Sequence, residues 1–151
     1  MTSTYQVAKK VIDALRTDST LSAYCTDTLS YSLGLDSENP PVNSKLPLVV
    51  VMPVSKEIVT NQHVVHSLSV GVAVTDNSIG TTDYTKYEGF ETIADLEAEI
   101  YAAIQRFFDE SSSDHSLSLG ASQSVSYECF FPQYHSVRNI TVAELFSGFD
   151  S

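Results

Sequence analysis

The chain has little with which to grip phosphate or to cross a lipid bilayer. Its 151 residues include only 8 lysines and arginines against 19 aspartates and glutamates, a formal net charge of −11. That field repels nucleic-acid backbones, so non-specific DNA or RNA binding is disfavoured. The basic residues are scattered, and the adjacent Lys9 and Lys10 read as a solvated helix face. No apolar run reaches the roughly 18–20 residues a membrane span needs. The segment Met1–Gln6 lacks a basic stretch followed by an apolar one, so no secretory leader is expected. Cys25 and Cys129 are the only cysteines. Two are too few for a disulfide framework; free thiols are expected, and a single bridge stays open. With six glycines, the chain has no Gly-x-Gly-x-x-Gly fingerprint, no Walker loop and no Gly-x-Ser-x-Gly elbow. Its acids do not form a calcium loop.

What is present is a 42% apolar composition, enough for one domain, residues 1–151, with a real core. Helical periodicity runs over 4–17, where Tyr5, Ala8, Val11, Ile12 and Leu15 form one stripe. Ser3 or Thr4 is placed to cap it, and Asp18 or Ser19 to cap a short turn through Tyr24. A second helix is expected over 86–108, with Thr85 and Glu88 at capping-box spacing and Gly89 as an early weak point. Its stripe, Phe90 to Phe108, is interrupted by Glu97, which would need a partner on a strand or at an interface. Strand signals fall at 47–53, 62–75, 121–131 and 135–147, with a weaker one at 28–33. The last two strands suggest a hairpin around Pro132-Gln133-Tyr134. The expected fold is therefore α+β: a mainly antiparallel four- or five-stranded sheet packed by two long helices, in the order α, short α, β, β, α, β, β.

No reaction centre stands out. His63 and His66 share an His-x-x-His spacing, but on a strand residues three apart point to opposite faces, so a shared metal is not expected. His115 and His135 are not tied to them by spacing. Cys25 and Cys129 read as small buried residues rather than nucleophiles, and Glu97 lacks a second carboxylate for acid–base work. No catalytic residue, metal or cofactor is assigned. The aromatics are more informative. Tyr84 and Tyr87 fall in or beside the 76–89 loop, Phe130, Phe131 and Tyr134 at the expected hairpin turn, and Phe146 and Phe149 near residue 151. Aromatics at turns are either wrapped under loops or presented to a partner, and all seven are interface candidates.

The phrasing of the chain resembles the tail terminator and tail-completion proteins of long-tailed bacteriophages. The resemblance lies in the opening helix Val7–Leu15 with its short second turn Ser19–Tyr24, and in the proline-led strand Leu46–Val51. It continues through the strand His66–Val74, the helix Ile93–Ile100 and the closing strand Arg138–Leu145. It covers most of the chain and rests on architecture, with no diagnostic motif. It implies a small subunit that closes into a homo-oligomeric, hexameric ring on the tail tube, stops tube growth and presents a docking surface to the head connector or stopper protein. A sheath protein would be a further partner in a contractile tail. DNA would only pass through the lumen, and no membrane is involved. The long segments 26–46 and 76–89 depart from the pattern and suit contacts specific to one tail system. Two other readings stay open: an acidic binding module using the Phe130–Tyr134 turn, and a small enzyme built on Cys25, His66 or Glu97. A head-completion or neck protein is a near neighbour of the first reading.

Overall fold

Ser3 opens the first helix, α1 (Thr4–Thr17). Its hydroxyl accepts from the Gln6 N–H at 3.1 Å, and Gln6 Oε1 accepts from the Ser3 N–H at 2.9 Å. This reciprocal capping box satisfies two donors that a helix start otherwise leaves unpaired. Val7, Ala8, Val11, Ile12 and Leu15 then form the buried stripe. Asp18 ends α1 and caps α2 (Ser19–Tyr24), accepting from the Leu21 N–H at 2.8 Å. The same carboxylate takes a forked hydrogen bond from Arg106 of α3 (Gly89–Glu110), at 3.1 and 2.9 Å. That fork, with the Leu21 N–H, holds the Asp18 carboxyl below its usual range against the opposing effect of burial. The computed structural model describes residues 2–25, 28–35, 41–42, 46–60, 63–110, 116–121 and 124–145, without the side chains of Thr60 and Glu110.

Eight strands follow in chain order: β1 (Ser30–Leu33), β2 (Leu48–Thr60), β3 (His63–Thr75), β4 (Ile79–Gly80), β5 (Lys86–Tyr87), β6 (Leu117–Leu119), β7 (Val125–Phe130) and β8 (Gln133–Leu145). The main sheet has the order β1-β2-β3-β8-β6, with β7 on the same side of β8 as β6, and β4–β5 form a separate small hairpin. All pairings are antiparallel except β1 with β2. The fold is thus mixed α+β, a mostly antiparallel sheet with three helices. Residues directly opposite across a ladder share a face. The registers therefore put Val49 and Val51 of β2 with Leu68, Val70 and Val72 of β3 and Ile140 and Val142 of β8. α1 covers the β2–β3 part of this face, and α3 covers β3, β8 and β6. Against the opposite face lie Leu35 and Pro41, which with Leu48, Val50, Met52 and Ala73 enclose a shallow cavity of about 100 Å³.

Three local features differ from the sequence expectation. First, α3 does not start with a Thr85–Glu88 box: the Glu88 carbonyl accepts from the Glu91 and Thr92 N–H groups at 3.1 and 3.3 Å, and Thr92 donates its hydroxyl to Asp76 at 2.9 Å. Second, β2 continues past Pro53 to Thr60, with register irregularities between Pro53 and Ser55 and between Ile58 and Thr60. β1 has already ended there, so the missing Pro53 N–H costs no ladder bond. Third, β7 and β8 turn at Phe131-Pro132, so Tyr134 belongs to β8.

Candidate interaction surface

One end of the sheet gathers the loop aromatics. The Asp76 N–H donates to the Pro132 carbonyl at 2.8 Å, tying the end of β3 to the β7–β8 turn. The β4–β5 hairpin lies alongside, anchored by Glu88 N–H to Ser78 O at 3.2 Å. Tyr87 and Phe131 meet edge to face, with ring centroids 5.5 Å apart. Tyr84 (68% exposed), Phe130 (57%), Phe131 (45%) and Tyr87 (42%) all present ring surface to solvent. Phe130 lies against the His135 ring at 5.3 Å. Burial holds His135 below its usual value, with Glu128 pulling the other way. Its Nε2 lies 3.0 Å from Gln133 Oε1. Exposed aromatics from separate stretches of the chain, at strand ends and in turns, are the surface type enriched in protein interfaces.

Tyr134 is not part of this surface. It is fully buried, packed edge to face on Phe90 at 5.1 Å and pressed against the start of α3. Its place on β8 explains the correction, because strand alternation turns it to the helix side with Ile140 and Val142. Burial, with the Cys129 thiol next, pushes its phenol up. Phe146 and Phe149 lie outside the described residues.

The polar candidates have structural partners. His66, fully buried on the helix-covered face, sits between Thr4 Oγ1 (2.8 Å from Nδ1) and Glu144 Oε1 (3.0 Å from Nε2). Thr2 N–H reaches the other Glu144 oxygen at 3.4 Å. Burial pushes Glu144 up, but the hydrogen bond with His66 and then those with Thr2, its side chain ahead of its N–H, outweigh it and hold the carboxyl below its usual value. This chain fastens the start of α1 to the sheet. The sequence signal for it was parity: His66 falls in step with Leu68 and Val70, on the face where an imidazole must find a partner. Glu97, also buried, takes two hydrogen bonds from Arg138 of β8, at 2.5 and 3.0 Å. The Arg138 guanidinium stacks 3.8 Å above the Tyr101 ring, and the Glu97 bonds raise its already high pKa further.

Cys25 is half-buried and Cys129 exposed, and neither is in a disulfide. Cys25 borders two open cavities of about 450 Å³ each, one with Arg16, Ser22 and Tyr31, the other with Tyr24, Thr75 and Asp95. Among the described residues no imidazole lines either one, so none of them places a general base of the usual kind beside the thiol. His63 and His66 point to opposite faces, as strand geometry demands, and His115 lies outside the described residues. Among the described residues no three metal-ligating side chains come together, and no helix is long and apolar enough to cross a membrane. The sequence matches no protein-family model and no curated protein.

Proposed function

We propose that this chain is a structural subunit of a phage tail, a terminator that caps the tail tube as a homo-oligomeric ring and gives the head connector its docking surface. The observation that carries this reading is the aromatic end of the sheet, where Tyr84, Tyr87, Phe130 and Phe131 stand exposed together on a body whose net charge is −11. An exposed aromatic cluster suits protein docking, and an acidic ring wall lets DNA pass without adsorbing it. The reading places the protein in the virion, at the head-proximal end of the tail, with the tube protein and the connector or stopper protein as partners.

The test is negative-stain microscopy of the purified protein, alone and mixed with tail tubes, for the parent chain and for a Tyr84→Ala/Phe131→Ala variant. Both substituted side chains are exposed, so the circular dichroism spectrum and melting temperature are expected to hold. The parent is expected to cap one end of each tube and, when head connectors are added, to join them to the capped end, and the variant to lose that joining. Monomeric protein with bare tube ends would overturn the reading.

A further inference from the structure

The main sheet has two open edges that fit one another. On one side, β1 covers β2 only from Leu48 to Val51; beyond that, no described strand lies outside β2. On the other side, β8 is the only strand partner of β7 among the described residues. Both edges carry exposed apolar groups: Ile58 (64% exposed) and Val54 on β2, Tyr127 and Phe130 on β7. An exposed apolar edge is a template for another strand.

The backbone phase can be followed on each edge. Gly34 N–H donates to Val51 O at 3.0 Å, so Val51 faces outward, and backbone groups alternate sides along a strand. The irregularity at Val54 advances that phase by one residue, which turns the N–H and C=O of Lys56 and Ile58 to the open edge. On β8, Thr141 O and Leu145 N–H bond to Gly120 and Ser116 beside β6, so the odd residues of β8 face that side. Glu128, opposite His135, is then paired inward, and Val125, Tyr127 and Cys129 face outward. β2 and β7 run in opposite directions, as the chain of antiparallel registers requires.

We infer that β2 of one copy pairs antiparallel with β7 of the next, with Lys56 opposite Tyr127. This deepens the ring reading above and rests on it. The register follows from charge and shape. It sets Ile58 against Val125, Glu57 against Ser126 and Ser55 against Glu128, and it lays the Lys56 ammonium beside the Tyr127 ring. A shift of two residues one way would set Glu57 against Glu128, a like-charge pair. The same shift the other way would run β7 onto the Val54 irregularity. The two irregularities of β2 thus bracket a regular stretch, Ser55–Ile58, matched to Val125–Glu128. The contact is heterologous, since each copy offers a different edge, and such contacts repeat into rings when the rotation closes.

The stagger is consistent with closure. Lys56 is level with Val142 through His66, whereas Tyr127 is level with Ser136. Successive copies are therefore displaced by six residues of β8, about 20 Å along the strands. The four strands of each repeat advance about 19 Å across the sheet. Together these incline the strands by about 45°, close to the tilt at which sheets close on themselves.

Cysteine trapping tests this pairing. In full-length protein carrying Cys25→Ser and Cys129→Ser, Glu57→Cys is combined with Ser126→Cys. These positions form a non-hydrogen-bonded pair, with Cα atoms about 4.5 Å apart, within disulfide reach. Inside one chain they lie on opposite sides of the four-stranded sheet, about 14 Å apart across it and six residues apart along it, about 24 Å in all, so every bridge joins two copies. The protein is oxidised at high concentration and on tail tubes, and read by non-reducing gel and microscopy. The expected result is a ladder ending at the ring number, with Glu57→Cys alone giving at most dimers. A separate Tyr127→Asp variant is expected to lose rings while keeping the monomer's circular dichroism. Rings or caps without a ladder would overturn the edge pairing and leave the terminator reading standing. A ladder that stops at dimers would also overturn it. Monomers without rings, caps or ladder would overturn both.

Discussion

At residue scale, Gly89 and Tyr134 decide how α3 meets the sheet. A Cβ built on Gly89 would lie 1.9 Å from Tyr134 Cε1 and 2.2 Å from Cδ1. Two effects oppose one another in Gly89→Ala. Alanine favours a helix interior over glycine by about 1 kcal/mol, and less at a first turn. Overpacking a buried ring costs about 1–3 kcal/mol, and here the ring is also packed edge to face on Phe90. The clash is expected to win, so Gly89→Ala lowers stability despite its better propensity, as urea unfolding would read. Unchanged or higher stability would mean that Tyr134 can move aside. The position was visible in the sequence only as a weak spot in a helix. Its reason, a ring 45 residues further on, becomes apparent only once β8 is in place.

At the scale of elements, Glu97 and Arg138 bolt α3 to β8. A buried pair broken on one side typically costs about 3–5 kcal/mol, because a charge is left without its partner, whereas apolar replacement of both is often close to neutral. Glu97→Leu and Arg138→Met singly are therefore expected to destabilise strongly, and the double variant to recover most of the loss. Additive losses in the double-mutant cycle would count against this account. How legible each element was depended on the range of its interactions. The span of α1 was readable because its periodicity is local, although Tyr5, expected in the stripe, is exposed, Val7 is buried in its stead, and of Ser3 and Thr4 it is Ser3 that caps. β3 was readable because Val64, Leu68, Val70, Val72 and Val74 recur at even positions on one face. Glu97 in an apolar stripe announced a partner, but naming Arg138 required the β3–β8 register. β6, with three residues, has too little sequence to carry a period. The second half of β2 was hidden by Pro53, whose place beyond the end of β1 makes it harmless. In the candidate surface, Tyr84, Tyr87, Phe130 and Phe131 stand exposed, whereas Tyr134 was misplaced because the turn falls two residues earlier than its composition suggests.

At the scale of the whole molecule, three carboxylates tie distant parts together and set the acid limit of the fold. Arg106 and Leu21 N–H depress Asp18, the Ser78 N–H and then the Thr92 hydroxyl depress Asp76, and His66 followed by Thr2 depress Glu144, each against burial. A folded-state pKa below the unfolded one gives stability that is complete above the unfolded value and is lost as pH falls through the folded value. With reference values of 3.8 for the aspartates and 4.5 for Glu144, the urea midpoint is expected to fall as pH drops below about 4.5. Glu144→Gln should shrink that fall; an unchanged acid limb would remove Glu144 from the account. The position of β8 has a separate consequence. This strand holds the middle of the sheet and is the partner of β3, β6 and β7, yet all three precede it in the chain. During synthesis, everything from α1 to β7 leaves the ribosome before the strand that joins them exists. Closing this sheet therefore waits on translation through Leu145, so a chain stalled before that point offers chaperones and proteases an unclosed β3 edge rather than a completed sheet.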